Sequence, residues 1–147
     1  MFGRAAAVAA GAVAALQSPL WLGPGKLVRL IGQPAPIAPI DLIGATHAAR
    51  AALAVRAAHV TLRLLSRAAF PLWRNTCLYR AVAECLVLRR YGIPCHLELG
   101  VAHLGARGWG PGAGHDGGLR KITAHAWVVR SDGAVTASPP AALAVLR

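Results

Sequence analysis

Residues 75–101 read NTCLYRAVAECLVLRRYGIPCHLELGV, and this stretch decides the fold. Thr76 is a good helix N-cap, and no breaker interrupts the run from Cys77 to about Tyr91. Gly92 and Pro94 supply the stop. From Cys95 the pattern alternates, with Cys95, Leu97, Leu99 and Val101 on one face and His96 and Glu98 on the other, which predicts a strand. Cys85 lies about 800° round the helix from Cys77, some 80° off its face, and is expected in the core. Alternation with Leu97 and Leu99 assigns Cys95 to the core as well.

Working outward from this unit, residues 105–118 hold seven glycines and form no regular element. A second strand is expected from about Ile122 to Arg130. Asp132-Gly133 is a hairpin turn signal, and a short third strand should run to about Ser138 before Pro139-Pro140 end it. Upstream, residues 5–18 predict a helix. A breaker-rich stretch follows from Pro19 to Pro39 without strong periodicity. A long helix is expected from about Ala45 to Ala69, with Leu53, Val60 and Leu64 on its apolar face and Arg50, Arg56, Arg63 and Arg67 on a basic one; Pro71 stops it. The whole is an α+β chain without internal repeats: a helical N-terminal extension over 1–69 and a helix-plus-sheet core over 70–147.

Composition bounds the function. The chain has 147 residues, 56% hydrophobic and 14% charged, which suits one packed domain and excludes a disordered tail. Sixteen Lys+Arg against five Asp+Glu give a net charge of +11, a balance suited to an acidic or polyanionic partner. The basic residues are mostly scattered arginines, and two Tyr and two Phe leave little to stack on bases, so nucleic-acid binding is not expected. Cys77, Cys85 and Cys95 make an odd count with no C-x-x-C pair, which argues against a disulfide framework or structural zinc and for a reduced, cytoplasmic chain. The run AAAVAAGAVAAL at 5–16 is Ala-dominated and short of the roughly 20 residues that span a bilayer. It is expected to be a peripheral or buried helix rather than a signal peptide, and membrane contact is not expected.

Cys77 falls at the first turn of its helix, where unpaired N–H groups and the helix dipole favour an anion such as a thiolate. His125, in Ala124-His125-Ala126-Trp127, lies near the middle of the second strand. A thiolate nucleophile needs an imidazole to take its proton and later return it to the leaving amine, and a helix start beside a strand can bring the two together. Spacing leaves blander readings open, with Cys77 a small hydrophobe and His125 a satisfied core or surface residue.

The residues around them carry more. Asn75-Thr76-Cys77-Leu78-x-Arg80-Ala81, then Leu88-x-Arg90-x-Gly92-Ile93-Pro94, Leu99-Gly100-Val101 and Ala124-His125-Ala126-Trp127-Val128 with Asp132-Gly133 resemble the transglutaminase-like proteins of lasso-peptide biosynthesis. These are the stand-alone B2 leader peptidases, related to the microcin J25 processing protein. The resemblance covers roughly residues 70–140. It implies a papain/transglutaminase-like core in which Cys77 attacks the bond joining leader to core peptide and His125 acts as acid and base, without cofactor or metal. It also implies partners: the precursor's leader peptide, a separate winged-helix leader-recognition protein, and an ATP-dependent lasso cyclase that closes the macrolactam. The first 69 residues lack the strand pattern that a fused recognition domain would need.

One departure bears on the chemistry. The family carries an Asp on the strand after the His, typically in an N-D-P-P-like run; here the matching residues are Ala137-Ser138-Pro139-Pro140. With Asp132-Gly133 as a two-residue turn, Trp127 pairs with Ser138, and Ser138 shares the face of His125 diagonally. Ser138 thus takes the orienting position. Asp132 is about 23 Å from His125 along an extended strand, at roughly 3.3 Å per residue, and serves the turn. Asp116, in the glycine-rich segment, is the other acidic candidate. Loss of the charged orienter should weaken catalysis, and a non-catalytic scaffold that binds precursor or cyclase is the alternative function. Of the remaining polar residues, His96 and Glu98 are expected as a solvated pair rather than metal ligands. His103 and His115 flank or lie in the glycine-rich segment without ligand spacing. Trp127 either walls the site or joins the core, and Arg80 either binds substrate or pairs with Glu84.

Overall fold

The computed structural model describes residues 2–31, 45–68, 72–104, 121–130 and 143–146. Among these residues, four helices, α1 (Phe2–Trp21), α2 (Pro24–Ile31), α3 (Ala45–Arg67) and α4 (Cys77–Arg90), precede strands β1 (Cys95–Leu104), β2 (Lys121–Arg130) and β3 (Leu143–Leu146). β1 is central: it pairs antiparallel with β2, from Cys95 opposite Arg130 to Leu104 opposite Lys121, and antiparallel with β3 on its other edge. This α+β arrangement is that of a papain/transglutaminase-like core.

Helix α4 lies between the other layers. Its Ala81, Val82, Cys85 and Leu88 join Cys95, Leu97, Ala126 and Val128 of the sheet and Leu30 of α2 in one buried cluster. On a different side its Ala83 and Val87 meet Ala7, Ala14 and Ala15 of α1 and Ala54, Ala58 and Leu62 of α3 in a second. Residues on both sides of the 69/70 boundary therefore share a core.

Local chemistry explains the element ends. Thr76 stands at the N-cap in extended conformation, without a side-chain hydrogen bond to the first turn. Gly92, at φ +69°, closes α4: its N–H donates to Arg89 O at 3.0 Å and the Ile93 N–H to Leu88 O at 2.9 Å, a paired stop that needs a left-handed residue. In α1, Pro19 has no N–H for the carbonyl of Ala15, and the buried Ser18 hydroxyl donates to that oxygen at 2.8 Å instead. The helix thus runs three residues beyond its expected end.

Two expectations from sequence need correction. Residues 24–31, expected as part of an aperiodic stretch, form α2. Pro24 occupies a first helical position, where proline is tolerated, and Leu27, Leu30 and Ile31 turn inward while Lys26 and Arg29 stay exposed. In α3, Val60 and Leu64 are 53% and 59% exposed, whereas Ala51, Ala54, Ala58 and Leu62 are buried. Around Ala54 and Ala58 alanine takes the inner face because α1 and α3 approach too closely there for larger side chains, while Leu62, one turn further along, is accommodated. At Gly11, an added Cβ would stand 2.0 Å from the Ala54 carbonyl oxygen and 2.9 Å from the Ala57 Cβ. The expected third strand to Ser138 and the glycine-rich segment lie outside the described residues; β3, nearer the C-terminus, was not anticipated.

Candidate active site

Helix α4 shows three sides, two of them buried against the sheet and the α1/α3 layer. The third carries Cys77, Arg80 and Glu84, spaced by three and four residues and so aligned along the helix. With Ala81 below them, His59 of α3 opposite, and Ala126, Trp127 and Val128 of β2, they line a cleft of ≈ 340 Å³. Ala126 and Val128 belong to the face packed on α4, while Trp127 pairs with Glu98 on the other. Consecutive residues of both faces line the cleft, so it runs along the edge of β2 away from β1.

Cys77 is exposed, and its Sγ lies 3.7 Å from the carbonyl oxygen of Ala124, the residue preceding His125. The fold therefore brings the thiol to the backbone of β2, at the residue before His125. His125 is half-buried, and alternation assigns it, with Trp127, to the face opposite Ala124 and Ala126. Among the described residues no hydrogen bond joins the Cys77 thiol to the His125 ring. Ser138, Asp116 and Asp132 lie outside the described residues. The Thr76 side chain makes no cap hydrogen bond to α4 and so does not compete with a thiolate or oxyanion for the first-turn N–H groups.

The other cysteines belong to the core. Cys85 and Cys95 are fully buried, their sulfurs 3.5 Å apart, and the hydrogen bond with Cys85 together with burial pushes the Cys95 thiol upward. A thiol so placed is neither accessible nor easily ionised. His96 Nε2 lies 3.3 Å from Glu98 Oε1, and Trp127 Nε1 donates to Glu98 Oε2 at 3.0 Å. The expected solvated pair is thus a half-buried network that anchors Trp127, which is 4% exposed and both packs and walls the cleft. Among the described residues no cluster of three or more His, Cys, Asp or Glu is placed to hold a metal ion.

Sequence reading missed His59. Its Nε2 lies 3.7 Å from Glu84 Oε2, and burial, followed by the positive charge of Arg80, pushes the imidazole below its ordinary range. It is neutral near pH 7, which makes the contact with Glu84 polar rather than an ion pair. Glu84, 9% exposed, lies deep in the cleft, while Arg80 is exposed at its rim. Helical spacing in α4 could have united Cys77, Arg80 and Glu84; nothing local could have added His59, which lies 18 residues before Cys77.

A cysteine at the start of a helix packed on an antiparallel sheet, beside a histidine-bearing strand, is the layout of a papain/transglutaminase-like fold. In comparison with protein families, residues 29–147 match the transglutaminase-like superfamily, and the chain belongs to it. That superfamily includes cysteine peptidases. The match reaches well upstream of Cys77 and takes in α3, from which His59 comes. No curated protein and no solved structure matches the chain.

Proposed function

We propose that the protein is a cysteine peptidase that removes the leader from a ribosomally made lasso-peptide precursor, with Cys77 as nucleophile and His125 as acid and base. The observation that carries this reading is the exposed Cys77 thiol at the uncapped start of α4, 3.7 Å from the backbone beside His125 and at the end of a cleft. The Cys77 thiolate attacks the carbonyl carbon of the last leader residue. The imidazolium protonates the departing amine of the core peptide, leaving the leader as a thioester on Cys77. Water, deprotonated by the imidazole, then releases the leader carboxylate and regenerates the thiol. Helix N–H groups stabilise the oxyanion in both steps, and Ser138 orients His125. A separate winged-helix protein delivers the leader, and an ATP-dependent cyclase consumes the freed core peptide.

A second reading, a scaffold of the same fold that binds precursor or cyclase without cleaving, is favoured by one observation. The thiol contacts the Ala124 carbonyl, and strand alternation directs His125 to the other face. One set of measurements separates the two. The precursor, incubated with this protein and the leader-recognition protein, should yield free leader by mass spectrometry, and Cys77→Ala should abolish the product. A thiol probe should find Cys77 hyper-reactive in a manner lost in His125→Ala. Precursor left intact by the wild-type protein, with ordinary Cys77 reactivity, would establish the scaffold.

A further inference from the structure

Helix α1 has two opposed faces. At 100° per residue, Ala7, Ala10, Gly11, Ala14, Ala15 and Ser18 fill the buried arc against α3 and α4. The opposite arc, about 140° wide, carries Val8, Val13, Leu16 and Leu20, which are 47%, 39%, 47% and 65% exposed, with Ala5 and Ala9 between them. A helix of 20 residues is about 30 Å long, so this is a continuous apolar stripe rather than scattered surface leucines. Val28 of α2, 65% exposed, adds to the apolar surface.

Charge identifies what covers it. Helices α1, α2 and α3 contain Arg4, Lys26, Arg29, Arg50, Arg56, Arg63 and Arg67, all exposed, and no Asp or Glu. Lys26 and Arg29 are exposed on α2 with Val28, whereas Arg4 lies on the α3 side of α1, beside Ala49, Arg50 and Leu53. A second copy would bring another +11 charge against this one. Nucleic acid would satisfy the arginines and leave the stripe in water. An anionic bilayer surface suits both, taking the apolar residues to the headgroup boundary while Lys26 and Arg29 of α2 meet lipid phosphates and the net positive charge adds long-range attraction. Among the described residues no single helix is long and apolar enough to cross a membrane, and α1 and α2 reach that length and hydropathy only as a pair bent by 119°. We infer that the α1–α2 face docks the protein on the surface of an anionic phospholipid membrane. The stripe points away from α3 and α4, so docking leaves the Cys77 cleft unblocked, and the inference stands apart from the proposed peptidase activity.

Sedimentation of the full chain with vesicles of phosphatidylcholine, or of phosphatidylcholine with one-third phosphatidylglycerol, tests this. Binding is expected to the anionic vesicles, weakened by salt and at least several-fold weaker on the neutral ones. Leu16→Gln and Leu20→Gln should each lower partitioning about tenfold, and Lys26→Glu or Arg29→Glu roughly fivefold or more. These side chains are exposed, so circular dichroism and Cys77 labelling should match wild type. No binding to anionic vesicles at low salt would overturn the inference, as would equal binding to both vesicle types. So would binding that ignores the leucine substitutions. A dimer, or a complex with the precursor or cyclase, that is lost in Leu16→Gln/Leu20→Gln while vesicles are ignored would assign the face to a protein instead.

Discussion

Gly11→Ala sets two physical effects against each other, and the structure decides between them. In an isolated helix the substitution is favourable by about 1 kcal/mol, because glycine loses more backbone freedom on folding. Here the new methyl would stand 2.0 Å from the Ala54 carbonyl oxygen and 2.9 Å from the Ala58 nitrogen. Those are backbone atoms, which no rotamer change can move. Restoring an ordinary contact of about 3.4 Å requires α1 and α3 to part locally by roughly 1.4 Å. The separation would loosen Ala7, Ala14 and Ala15 from Ala54 and Ala58, whose small side chains cannot follow. Overpacking of this kind costs about 1–3 kcal/mol, and the lost contacts add to it. The net expectation is destabilisation by about 1–3 kcal/mol, read as a lower urea midpoint at unchanged slope, or a melting temperature lower by roughly 2–4 °C per kcal/mol. A variant as stable as wild type, or more stable, would refute the close approach of α1 and α3.

Iodoacetamide should label Cys77 in the native protein, while Cys85 and Cys95 react only after denaturation; peptide mapping that finds either buried thiol modified at the Cys77 rate would contradict their place in the core. His59 is held below its ordinary pKa, so the unfolded chain binds its proton more readily. Its contribution is present above about pH 6.5 and is lost as pH falls toward the folded value, with a slope of up to about 1.4 kcal/mol per unit. Urea titrations at pH 7.5 and 5 should therefore show a smaller loss of stability in His59→Gln than in wild type, and equal losses would remove His59 from the buried wall of the cleft. Ser138→Asp should raise turnover of the precursor by supplying the charge that an imidazolium lacks; unchanged or lower turnover would count against Ser138 as the orienting residue.

The residues at 75–101 carry most of what can be read locally. Thr76 and Gly92 bound α4 because N-cap preference and left-handed conformation are properties of single residues. Alternation from Cys95 defines β1 for the same reason, and the Cys77 and His125 neighbourhoods point to the superfamily that residues 29–147 match. Helix α2 was legible in principle, since Pro24 fits a first turn and KLVRLI is amphipathic, but the surrounding prolines and glycines masked it.

The outward position of Val60 and Leu64 could not be read from hydropathy. Periodicity identifies which residues share a face, but whether leucine or alanine turns inward depends on how near the next helix comes, and Gly11 sets that distance from the other side of the contact. His59 enters the cleft in the same way, through the packing of α3 on α4. Local chemistry was enough to place a cysteine at a helix start followed by a strand, because caps, stops and alternation act within a few residues. Tertiary structure alone decided that this cysteine meets the backbone beside His125, that His59 and Glu84 share its cleft, and that α1 presents an apolar face. Those outcomes depend on distances between segments that the chain order leaves open.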